Sequence, residues 1–261
     1  MSSPNVELSV TNEVATLTLT DVARKNAMSP ELGDALRARI SELSARTDLR
    51  AAVLTGAGGA FSAGGDLTML AQLRSLPFEE ARRFMLSFYG RYLSVLDLPV
   101  PIIAAIDGPA IGAGLCVALA CDLIIVGEDS KLALNFVQLG LHPGMGATYL
   151  APRRLGAARA ADLLFTGRRF DGHEAVRLGL ALETVPRANV LARAQALAEE
   201  VASGGPLAVR ALKRNLGVDR VALQKALENE AIAQAEGYGS EDLQEGLKAA
   251  AERRRPRFTG A

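Results

Sequence analysis

The 261-residue chain has no tryptophan, two cysteines, two histidines and no net charge. Each scarcity excludes something. Two cysteines cannot build a disulfide framework, and they point to a reducing compartment. Cys116 and Cys121 lie five apart in a stretch that reads as helix, so they point about 140° from each other. Neither a disulfide nor a metal pair is expected of them. With only His142 and His173, and no Cys/His cluster, no metal site is expected either. Lys+Arg and Asp+Glu both number 29, so the basic excess of a nucleic-acid binder is missing. Arg253, Arg254, Arg255 and Arg257 form a local group only. The first residues carry Glu7 and Glu13 rather than a basic-then-apolar pattern, and no signal peptide is expected. The uncharged stretch from Gly108 to Cys121 is too short and too glycine-rich to span a bilayer. A cytoplasmic location, with no membrane and no nucleic-acid partner, is the expectation.

What is present is core. Hydrophobic residues make up 49% of the chain and charged residues 22%, enough for one large α/β domain. Val14 to Thr20 alternates with period two and reads as a half-buried strand. Ser29-Pro30-Glu31 opens a helix, with serine as cap and proline at the first helical position. Further strands are expected at 51–55, 101–107, 123–126, 132–134 and 182–185. Helical patterns separate several of them, which favours α/β crossovers. The second half is mostly helical, with helices near 157–164, 171–178, 188–203, 207–216, 221–235 and 240–252. Phe84, Met85, Phe88 and Tyr89 form a stripe that reads as packing or as the lining of a pocket.

Two glycine-rich turns follow strands and open helices: Gly56 to Asp66, and Asp107 to Leu115. Glycine lets a backbone approach a ligand closely. A helix start offers unpaired N–H groups and the positive end of the dipole, which stabilise phosphate or a developing oxyanion. Familiar alternatives fail letter by letter. A dinucleotide fingerprint starting at Gly56 needs glycine where Phe61 stands. A phosphate loop needs lysine where Gly65 stands, and a nucleophile elbow at Ser62 needs glycine where Ala60 stands.

Phe61-Ser62-Ala63-Gly64-Gly65-Asp66-Leu67 closely resembles the Phe-x-Ala-Gly-x-Asp-Leu signature of the enoyl-CoA hydratase/isomerase (crotonase) superfamily. Ile103 to Gly114, with Cys121-Asp122-Leu123 behind it, resembles that family's second motif. Gly140-Leu141-His142-Pro143-Gly144 resembles its third. Phe170 to Ala175, Leu178 to Leu180 and Glu252 to Phe258 resemble later segments. The resemblance covers residues 5–260.

The resemblance implies an α/β fold: a crotonase-like ββα spiral core over 1–190 and a helical C-terminal trimerisation region over 191–261, in one structural unit. It implies a coenzyme A thioester as substrate, no tightly bound cofactor, and a homotrimer or hexamer. Position matching puts the two N–H donors of an oxyanion hole at Gly65 and Ala113. Reactions beside a thioester pass through an enolate, whose oxygen such donors stabilise. Arg24, Lys25, Ala63, Asp66 and Leu67 match positions that hold CoA, although Arg24 and Lys25 also read as a solvated pair. Phe258 and the tail arginines would approach a neighbour's CoA, or cap the last helix.

The proton-handling positions depart from the family. The two hydratase glutamates fall on Cys116 and Phe136, and the acid of several isomerases falls on Gly144. Hydration needs a positioned acid and base, so isomerase-type or other enolate chemistry is expected ahead of it. Decarboxylation or C–C cleavage, and a non-catalytic acyl-CoA-binding role, are the alternatives. Cys116 near a helix start and His142 in the third motif are the candidate replacements. Each also reads as structural: Cys116 as a buried small residue, His142 as a loop side chain bonded to backbone.

Overall fold

The computed structural model describes residues 5–261. The chain enters through an antiparallel hairpin of β1 (Val6–Thr11) and β2 (Val14–Leu19). Its two turn residues, Asn12 and Glu13, have φ of 50° and 63°. Two consecutive positive-φ residues match the twist of the strands they join. Sequence patterning misses β1, because Asn-Glu lacks the glycine that marks such turns.

Helix α1 (Pro30–Ser44) leads to β3 (Ala51–Gly56), then α2 (Leu67–Leu73), α3 (Phe78–Tyr92) and β4 (Ile102–Ile106). Next come β5 (Ala110–Ile111), α4 (Ala113–Ala120), β6 (Leu123–Gly127) and β7 (Leu132–Ala133). Then follow α5 (Ala147–Leu155), α6 (Ala157–Thr166), β8 (Arg169–Phe170), α7 (Gly172–Leu178) and β9 (Glu183–Val185). Four helices end the chain: α8 (Val190–Ala202), α9 (Pro206–Leu216), α10 (Arg220–Tyr238) and α11 (Glu241–Glu252). As its sequence indicates, α1 is capped by Ser29, whose side chain accepts from the Leu32 N–H.

The main sheet runs β1-β2-β3-β4-β6-β9, parallel from β2 onward, and β5-β7-β8 form a second small sheet. Period-two alternation sorts the main sheet's side chains between two layers. Leu17, Leu54, Ile102, Ala104 and Ile124 join the large core containing α1, α3 and α4. Val14, Val53, Ile103, Ala105 and Ile125 pack instead against Val190, Ala194, Leu197 and Ala198 of α8. β2 is therefore buried on both faces, where its sequence reads as half-buried. The second cover comes from α8, some 170 residues later in sequence. The fold is the expected mixed α/β spiral core with a helical C-terminal part, and α8 binds the two together. Among the described residues, no helix is long and apolar enough to cross a membrane.

Helix α10 lies against α3 and α5 and carries a buried polar stripe, Glu230, Gln234 and Tyr238, at spacings of four. The Glu230 carboxylate accepts from the N–H of Gly146 (2.7 Å) and of Thr148 (2.8 Å), and from the Thr148 hydroxyl (2.5 Å). It thus caps the start of α5 from another helix, where the dipole favours negative charge. Burial outweighs these contacts and pushes its pKa from 4.5 up to about 7. The native state then holds this proton more tightly than the unfolded chain does. The contribution is full below about 4.5 and is lost as pH rises through about 7. Urea titrations should show unfolding free energy falling by about 3 kcal/mol across that window, and Glu230→Gln should flatten the slope.

Candidate active site

Two turns meet at Ser62. Its N–H donates to Pro109 O (3.0 Å), and its carbonyl accepts from the Ile111 N–H (3.1 Å). The Ser62 hydroxyl donates to Asn26 O (2.7 Å) and accepts from the Gly64 N–H (3.1 Å). Asn26 is fully buried, and its amide donates to Ala57 O and Ala60 O. Arg187 clamps the far side, donating to Gly59 O and pairing with Asp107, each at 2.5 Å.

This pairing sets the direction of the Gly65 N–H. The Met28 N–H donates to Gly64 O (2.7 Å), and the Asp66 N–H donates to Met28 O (3.1 Å). A parallel bridge of this kind uses the residues on either side of Gly65. The Gly65 N–H therefore points away from Met28, and it has no acceptor among the described residues. The second residue expected to offer its N–H is Ala113, the first residue of α4. Its N–H belongs to the unpaired first turn of the helix. The helix's first intrahelical bond runs from Cys116 N to Gly112 O (3.2 Å). Gly112, with φ 51° and ψ −118°, turns the chain into α4. Close approach demands the next glycine: a Cβ at Gly114 would lie 2.6 Å from Ser62 Cβ.

Gly65 and Ala113 line one cavity of about 440 Å³, within the range of small-ligand sites. Arg24, Ala63, Asp66 and Leu67, expected from sequence to hold the ligand, lie on the same wall. Asp66 caps α2, with one oxygen accepting from Thr68 N (2.8 Å) and Met69 N (3.2 Å). Its other oxygen accepts from Arg24 (2.8 Å), which also pairs with Asp21 (2.6 Å). Hydrogen bonding to Asp21 and the charges of Asp21 and Asp66 raise the Arg24 pKa further. Lys25 is exposed and does not line the cavity. Its backbone does the work there, with its carbonyl accepting from the Ala63 N–H.

The two candidate proton shuttles lie elsewhere. Cys116 is fully buried behind the wall, its thiol directed at Gly144 O (3.7 Å). Burial, and then the charge of Glu230, push its pKa well up, so the helix start does not yield a thiolate. His142 is exposed and off the cavity, with Nδ1 2.7 Å from Pro143 O. Phe136 and Gly144, where the family's other acids would stand, do line the cavity, as does Asn135.

Sequence reasoning missed Gln234, which lines the cavity from α10. The signal was available: Leu223, Leu227 and Ala231 define a buried face that also carries Glu230 and Gln234. Polar residues on an apolar face are there for a hydrogen-bond partner. Gln234 donates to His142 O (2.8 Å) and accepts from the hydroxyls of Tyr89 (2.8 Å) and Tyr238 (3.1 Å). Tyr89, from the aromatic stripe, lines the cavity too.

A cavity at the junction of two glycine turns thus carries two main-chain N–H groups, of Gly65 and Ala113, that have no acceptor among the described residues. The family model for enoyl-CoA hydratase/isomerase matches residues 9–261. A Thermus thermophilus protein named "Putative enoyl-CoA hydratase" is 39% identical over 246 residues, 94% of this chain and 97% of that one. A crystal structure of an enoyl-CoA hydratase/isomerase from Pseudoalteromonas atlantica superposes with a TM-score of 0.86 at 30% identity, covering 98% of this chain and 100% of that one. The ECH2 decarboxylase domain of CurF from Lyngbya majuscula gives a TM-score of 0.82 at 26% identity, covering 94% and 98%. The chain belongs to the enoyl-CoA hydratase/isomerase family.

The two adjacent glycines should respond differently to a methyl group. Gly64 has φ +92°, and a Cβ there would sit 2.6 Å from Ile111 O. At Gly65 the nearest atom is Leu70 Cδ1, at 3.8 Å. Gly64→Ala should lower Tm by several degrees and disturb the pairing of the turns. Gly65→Ala should leave Tm and activity near wild type. Thermal unfolding of the two variants side by side checks this.

Proposed function

We propose that this protein acts on an acyl-CoA thioester through an enolate held by the N–H groups of Gly65 and Ala113, and that the enolate forms by loss of a carbon group, such as carbon dioxide, rather than by hydration. The observation that carries this is the make-up of the cavity wall. Its only carboxylate is Asp66, and both oxygens of Asp66 are already engaged. Hydration needs a base for water and an acid for the α-carbon, and a double-bond shift needs a base for the first proton. A 2-carboxyacyl thioester needs neither at the start. The bond from Cα to the carboxylate breaks, carbon dioxide leaves, and the electron pair moves onto the thioester oxygen. A proton then arrives at Cα. The similarity to a decarboxylase domain supports the same reading.

In this reading Arg24, Asp66 and the backbone around Ala63 and Leu67 hold the CoA moiety, and no tightly bound cofactor takes part. The protein works in the cytoplasm with acyl-CoA as its small-molecule partner. Leu207, Leu212 and Leu216 of α9 are 83%, 56% and 71% exposed, which supports assembly into a homotrimer or a hexamer. Sedimentation should give a mass of three or six chains; a monomer would overturn that part.

The test of the reaction combines a substrate panel with loss of one donor. Incubation with 2-enoyl, 3-enoyl, 3-hydroxyacyl and malonyl-type CoA thioesters in heavy water, read by mass spectrometry, should show turnover of the malonyl type. Proline is tolerated at the first position of a helix, so Ala113→Pro removes one N–H while keeping α4. Turnover should drop by about 10²–10³-fold, with CoA affinity nearly unchanged. Hydration of the 2-enoyl thioester would overturn the reading. CoA binding without turnover of any thioester would point to the non-catalytic role.

A further inference from the structure

The proton that ends this reaction comes from water or from a group on the wall. Among the residues lining the cavity, the titratable side chains are Arg24, Asp66 and Tyr89. Arg24 and Asp66 are paired with each other, and the second Asp66 oxygen is held by the start of α2. Tyr89 is different. It rises from α3, is fully buried, borders the cavity together with Met85, Phe88 and Met145, and its hydroxyl donates to Gln234 (2.8 Å).

Its position coincides with a vacancy in the family pattern. Gly144 stands where several isomerases carry an acid. A Cβ built on Gly144 would lie 2.7 Å from Tyr89 Oη and 2.7 Å from Gln234 Nε2. The hydroxyl and the amide therefore fill the space that a side chain at 144 would enter. Glycine at 144 is what lets Tyr89 reach this part of the wall.

We propose that Tyr89 is the proton donor of this site, delivering its hydroxyl proton to the α-carbon of the enolate left when a 2-carboxyacyl-CoA loses carbon dioxide, with Gln234 as its positioning residue. The proposal rests on the enolate reading above. In the step, the Tyr89 O–H bond breaks and the enolate electron pair forms the new C–H bond. The thioester carbonyl is restored, and the tyrosinate takes a proton from water once product has left. Overall, a carboxylate and a proton become carbon dioxide and a C–H bond.

The surroundings suit a donor and not a base. Burial, and then the neighbouring Tyr238, Glu230 and Cys116, push the Tyr89 pKa well above 10, so it holds its proton at neutral pH. The α-carbon acid of a thioester is weaker still, so transfer to an enolate runs downhill. Gln234 Oε1 accepts from Tyr89 (2.8 Å) and from Tyr238 (3.1 Å). When Tyr89 turns its proton to the ligand, Tyr238 keeps the amide oxygen satisfied. The Gln234 Nε2 bond to His142 O (2.8 Å) fixes the amide against the 142–146 loop.

The test uses the full chain with 2-carboxypropanoyl-CoA in heavy water. Wild type should release carbon dioxide and give propanoyl-CoA with one α-deuterium of a single configuration. Tyr89→Phe keeps the ring in its packing. It should cut kcat by at least 100-fold or scramble the configuration of the label, with KM within about threefold. Tyr238→Phe serves as the packing control and should keep the configuration. Gln234→Leu should lower kcat and loosen the stereochemistry without abolishing CoA binding. A Tyr89→Phe enzyme with wild-type rate and a single configuration overturns the assignment, while Ala113→Pro still reports on the enolate reading. A wild type that binds CoA but leaves this thioester intact overturns the donor together with its substrate class. Failure to bind CoA at all overturns the acyl-CoA reading beneath it.

Discussion

The two hydrogen bonds that join Ser62 to Pro109 and Ile111 are the constraint on which the site depends. They bring together turns that end different strands of the main sheet. Each turn alone is only a helix start with a few unpaired N–H groups. Joined, they aim Gly65 and Ala113 into one cavity. The contact leaves no slack, because Gly114 packs against Ser62 where no Cβ would fit. Asn26 and Arg187 brace it from two sides. The Gly65 and Ala113 N–H groups are thus fixed by the fold itself, as the proposed reaction would need of donors that do not reorganise while charge develops.

The opposite wall is built on another principle. Where the turns use backbone, α10 uses side chains: Glu230 holds the start of α5, and Gln234 holds His142 and Tyr89. A buried polar stripe is costly unless every member finds a partner. Here each one does, and the partners are the loop and the tyrosine that shape the cavity. Cys116 stays a neutral thiol because it is buried, and Glu230 of the same stripe adds to the effect.

Much of this was legible in the sequence. The parallel strands announced themselves by β-branched and leucine runs, α1 by Ser29 and Pro30, and the paired turns by their glycines, while Gly65 and Ala113 were singled out only by the family resemblance. Local patterns failed where the decisive partner is far away in sequence. The two-sided burial of β2 depends on α8, and the two-residue strands β5, β7 and β8 exist only because they find one another. Cys116 and His142 looked chemical because their motifs placed them near the site, but a motif fixes a backbone position and not where a side chain points. Tyr89 read as packing ahead of pocket lining. Its role in the wall depends on Gln234, 145 residues away.

The cavity draws on distant parts of the described chain. The N–H groups of Gly65 and Ala113 lie in its first half, while Gln234 and Ala250, which also line the cavity, come from α10 and α11. A fragment that stops before α10 would keep the paired turns and lose the hydrogen-bond partner that fixes Tyr89. The spiral core therefore supplies only part of the wall, and the helical region beside it supplies the rest.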